Sequence, residues 1–475
     1  MSRLREACVE SGTTLVEDDF LRHENLNLVE EPQVVMCSFD EAFLSLPEDV
    51  IIAVAKGHQR YFCTRKPDGT LAPKVLCVAG TALQPDVIRV GNERVMRARL
   101  SDARFFFEED MKVRLASRFD QLAGIVFQKR LGTIKDKVER IWPLVEVLGR
   151  SLGMGAETVD VACRGARLCK CDLASLMVGE FPELQGELGA VYALGQGESA
   201  SVARVISMHY QPKGALDRTA DDDSAALVAL ADRLDTLVGC FAVGLVPTGA
   251  ADPYALRRAC LGVLRTLLDR RYGLSLLATL GVAYEGFGGV RLDASLGDVL
   301  SKLDVFFRDR LRGLLVERHP NDVVDACLAA GHDVPTDVLA RVDALAGLEP
   351  EVRSRAGEVF KRATNIAREA PLGEPVDPVS LGASCGVSLG EGIHEAELAA
   401  YRGWVVLDET LQNAQNTRDF PAAFAAIAAF APLLGEFFTH VLVMDENQTL
   451  RENRLRLMRS ISERCSGIAH FNMLV

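Results

Sequence analysis

The sequence predicts a mainly α protein of several domains, with an N-terminal α+β portion. Three observations support this prediction. The chain has 475 residues, and a chain of this length is expected to form about two to four domains. Strand and turn signals are concentrated before Asp86. From Asp86 almost to the end, Ala-, Leu- and Arg-rich stretches show the helical period of about 3.6 residues.

The N-terminal portion alternates strand and helix signals. Gln33–Phe39 is a short apolar run that predicts a strand, and Pro47 suits the first turn of the helix that follows. Two β-prone runs, Arg60–Thr64 and Lys74–Ala79, flank a Lys-Pro-Asp-Gly turn. Such runs on both sides of a Pro-Asp-Gly turn predict a β-hairpin.

In the helical remainder, Gly and Pro mark the breaks between helices. One break is expected at Gly91-Asn92, in front of a helix with the sequence ERVMRARLSDARFFFEED. The segment EFPELQG, around Pro182, predicts a helix end and a sharp turn that serves as a structural corner or partner contact. Pro371–Gly392 is the best linker candidate, and a final helical unit begins near Glu395.

Composition excludes several classes of protein. No run of eighteen or more uncharged apolar residues occurs, so no membrane span is expected. The N-terminus lacks the apolar core of a secretory signal. Among the 12 cysteines only Cys169 and Cys171 are close, and they lack the second pair that a zinc site normally has. Reduced, mostly buried thiols in a cytoplasmic protein are therefore expected.

The net charge of −13 allows RNA binding only at local basic patches. Three Arg-rich runs could form such patches: Arg89–Arg118, Arg353–Arg368 and Arg451–Arg464. For each run, a solvated helix face with internal salt bridges is an equally good interpretation.

Several long motifs occur in the order in which one family has them. They are GNERVMRARLSDARFFFEED, FQKRLGTIKDKVERI, CKCDLASLMVGEFPELQGELGAVY, ADRLDTLVG, DPYALRRACLGVLR, KRATNIA and FFTHVLVMDENQTLRENRLRLM. By these motifs the chain resembles, over nearly its whole length, the beta subunit of the bacterial two-subunit glycyl-tRNA synthetase. The family has a further N-terminal region, so the resemblance implies an N-terminally shortened chain.

The resemblance implies four parts. Residues 1–115 would form a mixed α/β module, similar in outline to part of the phenylalanyl-tRNA synthetase beta chain. Residues 116–330 would form a helical domain similar to the HD superfamily of metal-dependent phosphohydrolases. Residues 331–392 would be a helical connection and linker. Residues 393–475 would be a helical bundle similar to the DALR-type anticodon-binding domain of arginyl-tRNA synthetase.

The HD-like positions are degenerate. HD chemistry needs a His, a His-Asp pair and a later Asp, which bind divalent cations that activate water. Here Cys171-Asp172 stands at the pair, Asp232 fits the later Asp, and no His occurs between His58 and His209. We expect Asp172 and Asp232 to be structural, paired with Arg or capping helices, rather than to form a catalytic metal site. A weak Mg²⁺ site with retained waters stays open as an alternative.

Candidate RNA contacts in the N-terminal part lie in two places. His58, Arg60 and Tyr61 combine a cation with an aromatic ring, which suits phosphate binding and base stacking. The alternative is that His58 caps a helix and that strand alternation leaves Tyr61 outside. On the helix after Gly91, three arginines are the candidates for phosphate: Arg94, Arg97 and Arg99. Arg104, which is surrounded by acids, is predicted to be structural.

In the C-terminal unit, Asp445-Glu446-Asn447 predicts a turn and cap before a helix that starts near Leu450. On a helical wheel, Arg456 and Arg459 point away from the apolar stripe, free for phosphate. Arg454 lies near that stripe, which predicts a buried pairing with Asp445 or Glu446.

The resemblance implies a function in protein synthesis. The chain would be the beta subunit of a glycine–tRNA ligase, which binds and positions tRNA(Gly) and assembles with alpha subunits, two of each. No cofactor is expected in this chain, and it is not expected to be catalytic alone. The resemblance implies that ATP, Mg²⁺ and glycine bind the alpha subunit. In agreement with this, the sequence has neither GxxxxGK[ST] nor a GxGxxG after a strand. A cytoplasmic location is expected, with no membrane and no DNA as partner.

Two alternatives remain from the sequence. One is a free-standing RNA-binding or assembly protein derived from this subunit. The other is an HD-type metal-dependent phosphohydrolase, against which the missing His ligands weigh.

Overall fold

The computed structural model describes residues 1–474 apart from residues 58, 82, 215, 250, 251 and 391 and the side chain of residue 385. These residues form many helices and a small N-terminal sheet, which confirms the predicted mainly α class with an α+β start. They group into two compact units. Unit 1 comprises residues 1–239 and 285–291, and unit 2 comprises residues 240–284 and 292 to the C-terminal end. The four-part division predicted from the sequence stays a prediction.

Unit 1 begins with a four-stranded antiparallel sheet in the order β1-β3-β4-β2. The strands are β1 (Thr14–Leu15), β2 (Gln33–Ser38), β3 (Phe62–Arg65) and β4 (Leu71–Ala79). Strands β3 and β4 form the predicted hairpin, in which Phe62 lies opposite Leu76. Gly69 adopts a φ of +86° in its turn, a conformation that glycine takes without strain.

Side chains alternate between the two faces of the sheet, and helices cover both faces. Helices α1 (Ser2–Glu10) and α2 (Asp19–Leu28) cover the face that carries Phe62 and Leu76. Helices α3 (Glu48–Gly57) and α4 (Pro85–Met111) cover the face that carries Tyr61 and Val75.

Helix α4 begins at Pro85, so the predicted break at Gly91-Asn92 is wrong. Pro85 occupies the first turn of the helix, where its missing N–H costs nothing. Asn92 donates to the carbonyl of Ile88 at 2.7 Å, as expected within a continuous helix. One glycine in a helix interior costs about 1 kcal/mol, which a helix of 27 residues tolerates.

The rest of unit 1 is a helical domain preceded by a short hairpin. The elements are β5 (Val126–Gln128), β6 (Gly132–Thr133), α5 (Ile134–Ser151), α6 (Ala156–Leu168), α7 (Leu176–Glu180), α8 (Glu187–Gly195), α9 (Ala200–Met208) and α10 (Asp223–Ala242), whose last residues enter unit 2. Helix α7 ends at Glu180, and one 3₁₀ turn, Pro182–Leu184, follows it. The predicted helix end at EFPELQG is therefore confirmed.

Asp110, the last acid of the FFFEED run, connects α4 to this helical domain. Its buried carboxylate accepts the backbone N–H groups of Leu176 (3.0 Å) and Met177 (2.9 Å), which begin α7. It also accepts the Tyr192 hydroxyl at 3.0 Å and pairs with Arg118 at 2.8 Å. One carboxylate thus satisfies a helix N-terminus and two side chains from other segments.

Unit 2 is helical. Its helices are α11 (Leu256–Asp269), α12 (Leu276–Glu285), α13 (Leu296–Val316), α14 (Asn321–Ala329), α15 (Pro335–Ala346), α16 (Pro350–Ala367), α17 (Pro378–Cys385), α18 (Glu395–Thr417), α19 (Phe420–His440) and α20 (Gln448–Ser466). Helices α16, α18, α19 and α20 pack against one another as a bundle. By length and composition α19 could cross a membrane, but its apolar side chains, among them Phe424 and Phe437, form the centre of this bundle.

Candidate nucleic-acid interface

Asp232, one of the two positions that the sequence analysis compared with HD proteins, lies in a buried ionic cluster of unit 1. On α10, Asp232 pairs with Lys170 at 2.7 Å and with Lys137 of α5 at 2.9 Å. Asp235 pairs with the same Lys137 at 3.0 Å and with Arg140 at 2.6 Å. Burial opposes ionisation of Asp232, but the two ammonium groups hold its pKa well below its usual value. Asp232 is therefore ion-paired, as predicted, but with lysines rather than with arginine.

Asp172 has a different environment. It is fully buried and accepts the Gly186 N–H at 2.5 Å, and its second oxygen has no partner among the described residues. Burial raises the pKa of its carboxyl to about 6. Gly186 has a φ of +87°, and a Cβ on Gly189 would lie 2.9 Å from the Asp172 carboxylate. The EFPELQG corner therefore folds its backbone around Asp172, which no sequence pattern indicated.

His209 completes this cluster without forming a metal site. Its ring is fully buried, with Nδ1 at 2.7 Å from the Ile206 carbonyl oxygen and Nε2 unpartnered among the described residues. Burial lowers the pKa of the imidazole well below its usual value, so the ring is neutral at pH 7. Among the described residues no group of three or more His, Cys, Asp or Glu side chains could hold a metal ion.

The predicted site at residues 58–61 is only partly exposed. His58 lies outside the described residues. Arg60 adopts a φ of +57°, pairs with Glu24 at 3.1 Å and donates to the Gly57 carbonyl. Tyr61 is 3 % exposed, and its hydroxyl donates to Asn92 of α4. The prediction of Tyr61 as a stacking surface is wrong, and so is the alternative that placed it outside, because this strand is buried on both faces.

Helix α4 presents a basic face to solvent. Arg94 and Arg97 are exposed, and neither forms an ion pair with a described acid. Arg99 is half-buried. Arg89, one turn earlier, pairs with Asp86 at 3.0 Å. Arg104 lies over the Phe43 ring at 4.8 Å, which agrees with its predicted structural role. Of the three candidates on α4, Arg94 and Arg97 are the most available to phosphate.

The C-terminal arginines differ from the prediction. Arg456 is 30 % exposed and pairs with Glu452 at 3.5 Å, while Arg459 is 30 % exposed and pairs with Glu463 at 2.7 Å. Arg459 also donates to the Ala370 carbonyl at 3.4 Å. The prediction that both point freely into solvent is wrong, because the segment before α17 covers this side of α20. Their role as phosphate contacts stays a prediction.

Arg454 confirms its predicted buried pairing and has a second partner. It is 3 % exposed, and it bonds Asp445 at 2.7 Å and Glu397 of α18 at 2.6 Å. It also donates to the carbonyls of Leu442 at 3.0 Å and Gly392 at 2.9 Å. This guanidinium holds α18, α20 and the segment between α19 and α20 together.

A basic face that the site prediction missed lies on α16. The exposed cations of this helix and of its C-cap share one property, that none forms an ion pair with a described acid: Arg355, Lys361, Arg362 and, at the C-cap, Arg368. The composition of the Arg353–Arg368 run had predicted a basic patch in this part of the chain. The individual residues could be chosen only after α16 was seen to bury Phe360 and Ala363.

Comparison with known proteins identifies the family to which this chain is related. A family model described as glycyl-tRNA synthetase beta subunit matches residues 1–329. The glycine–tRNA ligase beta subunit of Anaeromyxobacter dehalogenans (strain 2CP-C) is 40 % identical over 482 residues, covering 100 % of this chain and 66 % of that protein. The subunit of Trichlorobacter lovleyi is 41 % identical, covering 98 % of this chain and 66 % of the relative.

The corresponding protein of Geobacter sulfurreducens is 42 % identical over 439 residues, covering 92 % of this chain and 62 % of the relative. The chain thus spans slightly less than two thirds of the length of these relatives. Since the family model matches more than half of the chain and the identities reach 40 % and above, the chain belongs to the glycyl-tRNA synthetase beta subunit family.

Proposed function

We propose that this chain binds and orients tRNA(Gly) as the beta subunit of a glycine–tRNA ligase. The observation that carries the proposal is the placement of charge. Arg94 and Arg97 on α4, and four cations on α16 and its C-cap, are exposed without described acid partners on a chain whose net charge is −13. Because the acidic remainder repels phosphate, RNA would be confined to these two faces.

The partners of the proposal follow from the family. The relatives are named as beta subunits, so the expected partner is an alpha subunit, with two copies of each chain in the cytoplasmic enzyme. ATP, Mg²⁺ and glycine would bind the alpha subunit. This chain would need no cofactor of its own and would not form the aminoacyl adenylate.

Co-expression with a glycine–tRNA ligase alpha subunit tests the proposal. The expected result is copurification of the two chains and binding of tRNA(Gly) by the complex. Adding the alpha subunit should produce glycine-dependent pyrophosphate exchange, and the chain purified alone should show none. Exchange by this chain free of alpha subunit would contradict the assignment of its role. RNA binding without any association with an alpha subunit would favour the free-standing RNA-binding protein.

Phosphohydrolase activity has less support. The Asp232 carboxylate is occupied by two ammonium groups, and Asp172 is fully buried with its pKa raised to about 6. A divalent cation would have to displace both lysines before it could activate water at this position.

A further inference from the structure

A groove of about 610 Å³ lies between α16 and the segment that connects α19 to α20. We call it the Arg362–Phe438 groove. Its lining side chains come from the second half of α16, from the end of α19 with the connecting segment, and from α20: Arg362, Asn365, Ile366, Glu369, Phe438, Thr439, His440, Val441, Leu442, Val443, Met444 and Leu455. Its volume falls within the range of about 300–1,000 Å³ typical of small-ligand sites.

The groove contains a flat cationic surface. The Arg362 guanidinium carbon lies 4.4 Å from the centroid of the Phe438 ring, and Phe438 is itself only 8 % exposed. The ring therefore supports one face of the guanidinium. Because Arg362 is exposed, we infer that its other face is open to a planar ligand. Guanidinium planes stack on unpaired nucleobases.

The other walls suit a nucleobase in a different way. Leu442 is 71 % exposed and Met444 is 52 % exposed, so apolar surface is available to the edge and face of a ring. The exposed Asn365 amide offers both a donor and an acceptor. The exposed Glu369 carboxylate can only accept hydrogen bonds when ionised, so it favours an amino group and disfavours a phosphate inside the groove.

Phosphate has a separate place outside the groove. Arg355 and Lys361 on α16, and Arg368 at its C-cap, are exposed and do not line the groove. A strand whose phosphates contact this helix could place one unstacked base in the groove. Proteins that bind single-stranded nucleic acid combine positive charge along the path of the phosphates with a surface on which the bases stack.

The connecting segment is held before any ligand arrives. Arg454 donates to the Leu442 carbonyl at 3.0 Å and pairs with Asp445 at 2.7 Å, while its other hydrogen bonds go to Glu397 of α18 and to the Gly392 carbonyl. The backbone that carries the Leu442 and Met444 side chains is thus fixed by a buried residue. A wall ordered in advance lowers the entropy cost of binding.

We propose that the Arg362–Phe438 groove binds one unpaired nucleobase of an RNA strand whose phosphates contact the basic face of α16. This inference rests on the proposed function and adds to it a site, a ligand class and a mode of recognition.

The test compares two RNA probes on the full chain. One is a hairpin with the sequence of the tRNA(Gly) anticodon arm, which has an unpaired loop, and the other is a blunt duplex with the same number of phosphates. Arg362→Ala should weaken hairpin binding by about 5- to 100-fold, the range for loss of one stacked base, and duplex binding by less than about threefold. Arg362→Lys keeps the charge but loses the plane, so it should still weaken hairpin binding selectively.

Arg368→Ala is the matched control, because it removes a cation at the C-cap of the same helix that does not line the groove. It should weaken binding of both probes by a similar factor. A second groove variant, Leu442→Glu, changes an exposed side chain and should also act on the hairpin selectively.

Equal effects of Arg362→Ala on hairpin and duplex would reduce Arg362 to a phosphate contact and overturn the inference. Unchanged hairpin binding by both groove variants would also overturn the inference. In either case the proposed function would still stand, provided that the wild-type chain binds the hairpin. If the wild-type chain binds neither probe, the proposed function fails together with the inference.

Discussion

Replacing Arg454 with Met should destabilise unit 2 strongly, because it leaves Glu397 buried without a partner. Glu397 is 1 % exposed, and Arg454 donates to both of its oxygens, at 3.0 and 2.6 Å. Met fills a similar volume, so the variant removes charge and hydrogen bonds while creating little empty space.

The expected magnitude follows from these contacts. Breaking a buried ion pair by removing one partner costs about 3–5 kcal/mol. For a unit of this size, 1 kcal/mol lowers the melting temperature by about 2–4 °C, so a fall of roughly 10 °C is expected. Asp445 is the lesser partner, since 28 % of its side chain is exposed. Asp445→Asn should therefore cost only about 1 kcal/mol.

A double-mutant cycle separates the pair from the general effect of mutation. Arg454→Met, Glu397→Leu and the double variant would be unfolded with urea at pH 7. The double variant should recover about 2 kcal/mol or more relative to the sum of the single variants, because it leaves no unpaired buried charge. Additive effects would refute the reasoning, as would a loss below 1 kcal/mol for Arg454→Met. The same variant should weaken hairpin binding even where it remains folded, since Arg454 also fixes the groove wall.

Three further predictions concern unit 1. For Asp172, the folded pKa of about 6 lies above the unfolded value of 3.8, so the charged form opposes folding as pH rises between them. The stability of Asp172→Asn relative to wild type should therefore increase by about 3 kcal/mol between about pH 3 and pH 7 and stay level above, as urea unfolding at each pH would show; a constant difference would contradict this. Lys170→Met, which leaves buried Asp232 with Lys137 alone, should cost about 3 kcal/mol in the same assay, whereas an unchanged midpoint would mean that the pair is dispensable. Arg94→Ala combined with Arg97→Ala should lower the slope of log affinity for tRNA(Gly) against log salt by about 1–2, whereas Arg89→Ala, whose guanidinium is paired with Asp86, should leave it unchanged; equal slopes for all three proteins would remove α4 from the interface.

The sequence predicted those features that depend on local patterns. The Lys-Pro-Asp-Gly hairpin, the helix end at Pro182 and the buried position of Arg454 all follow from turn chemistry or from helical periodicity, and the structure confirms them. The family resemblance likewise rests on local motifs and is confirmed.

Features that depend on contacts between distant segments could not be predicted. A helical wheel places Arg456 and Arg459 opposite the apolar stripe of α20, but it cannot show that the backbone near Ala370 covers that side. Strand alternation places Tyr61 and Phe62 on opposite faces, but it cannot show that helices cover both. The pairing of Arg454 with Glu397 joins residues that are far apart in the sequence. The helical wheel therefore predicted the buried position of Arg454, but the sequence indicated only the partner that is nearer along the chain, Asp445.

The ionic cluster around Asp232 compensates buried carboxylates with cations of the chain itself. Buried carboxylates need compensating positive charge, which a divalent cation supplies in a metal-dependent phosphohydrolase. Here Lys137, Lys170 and Arg140 supply it to Asp232 and Asp235 from within the chain. Because these cations are side chains of the protein, they compensate the charge of the two carboxylates at any metal concentration. The cluster also links α5 to α10, since Lys137 and Arg140 of α5 pair with Asp235 of α10. The same helical domain also contacts α4, because the first residues of α7 donate two backbone N–H groups to Asp110 near the end of α4. The helix that carries Arg94 and Arg97 is therefore anchored near its C-terminal end by this domain.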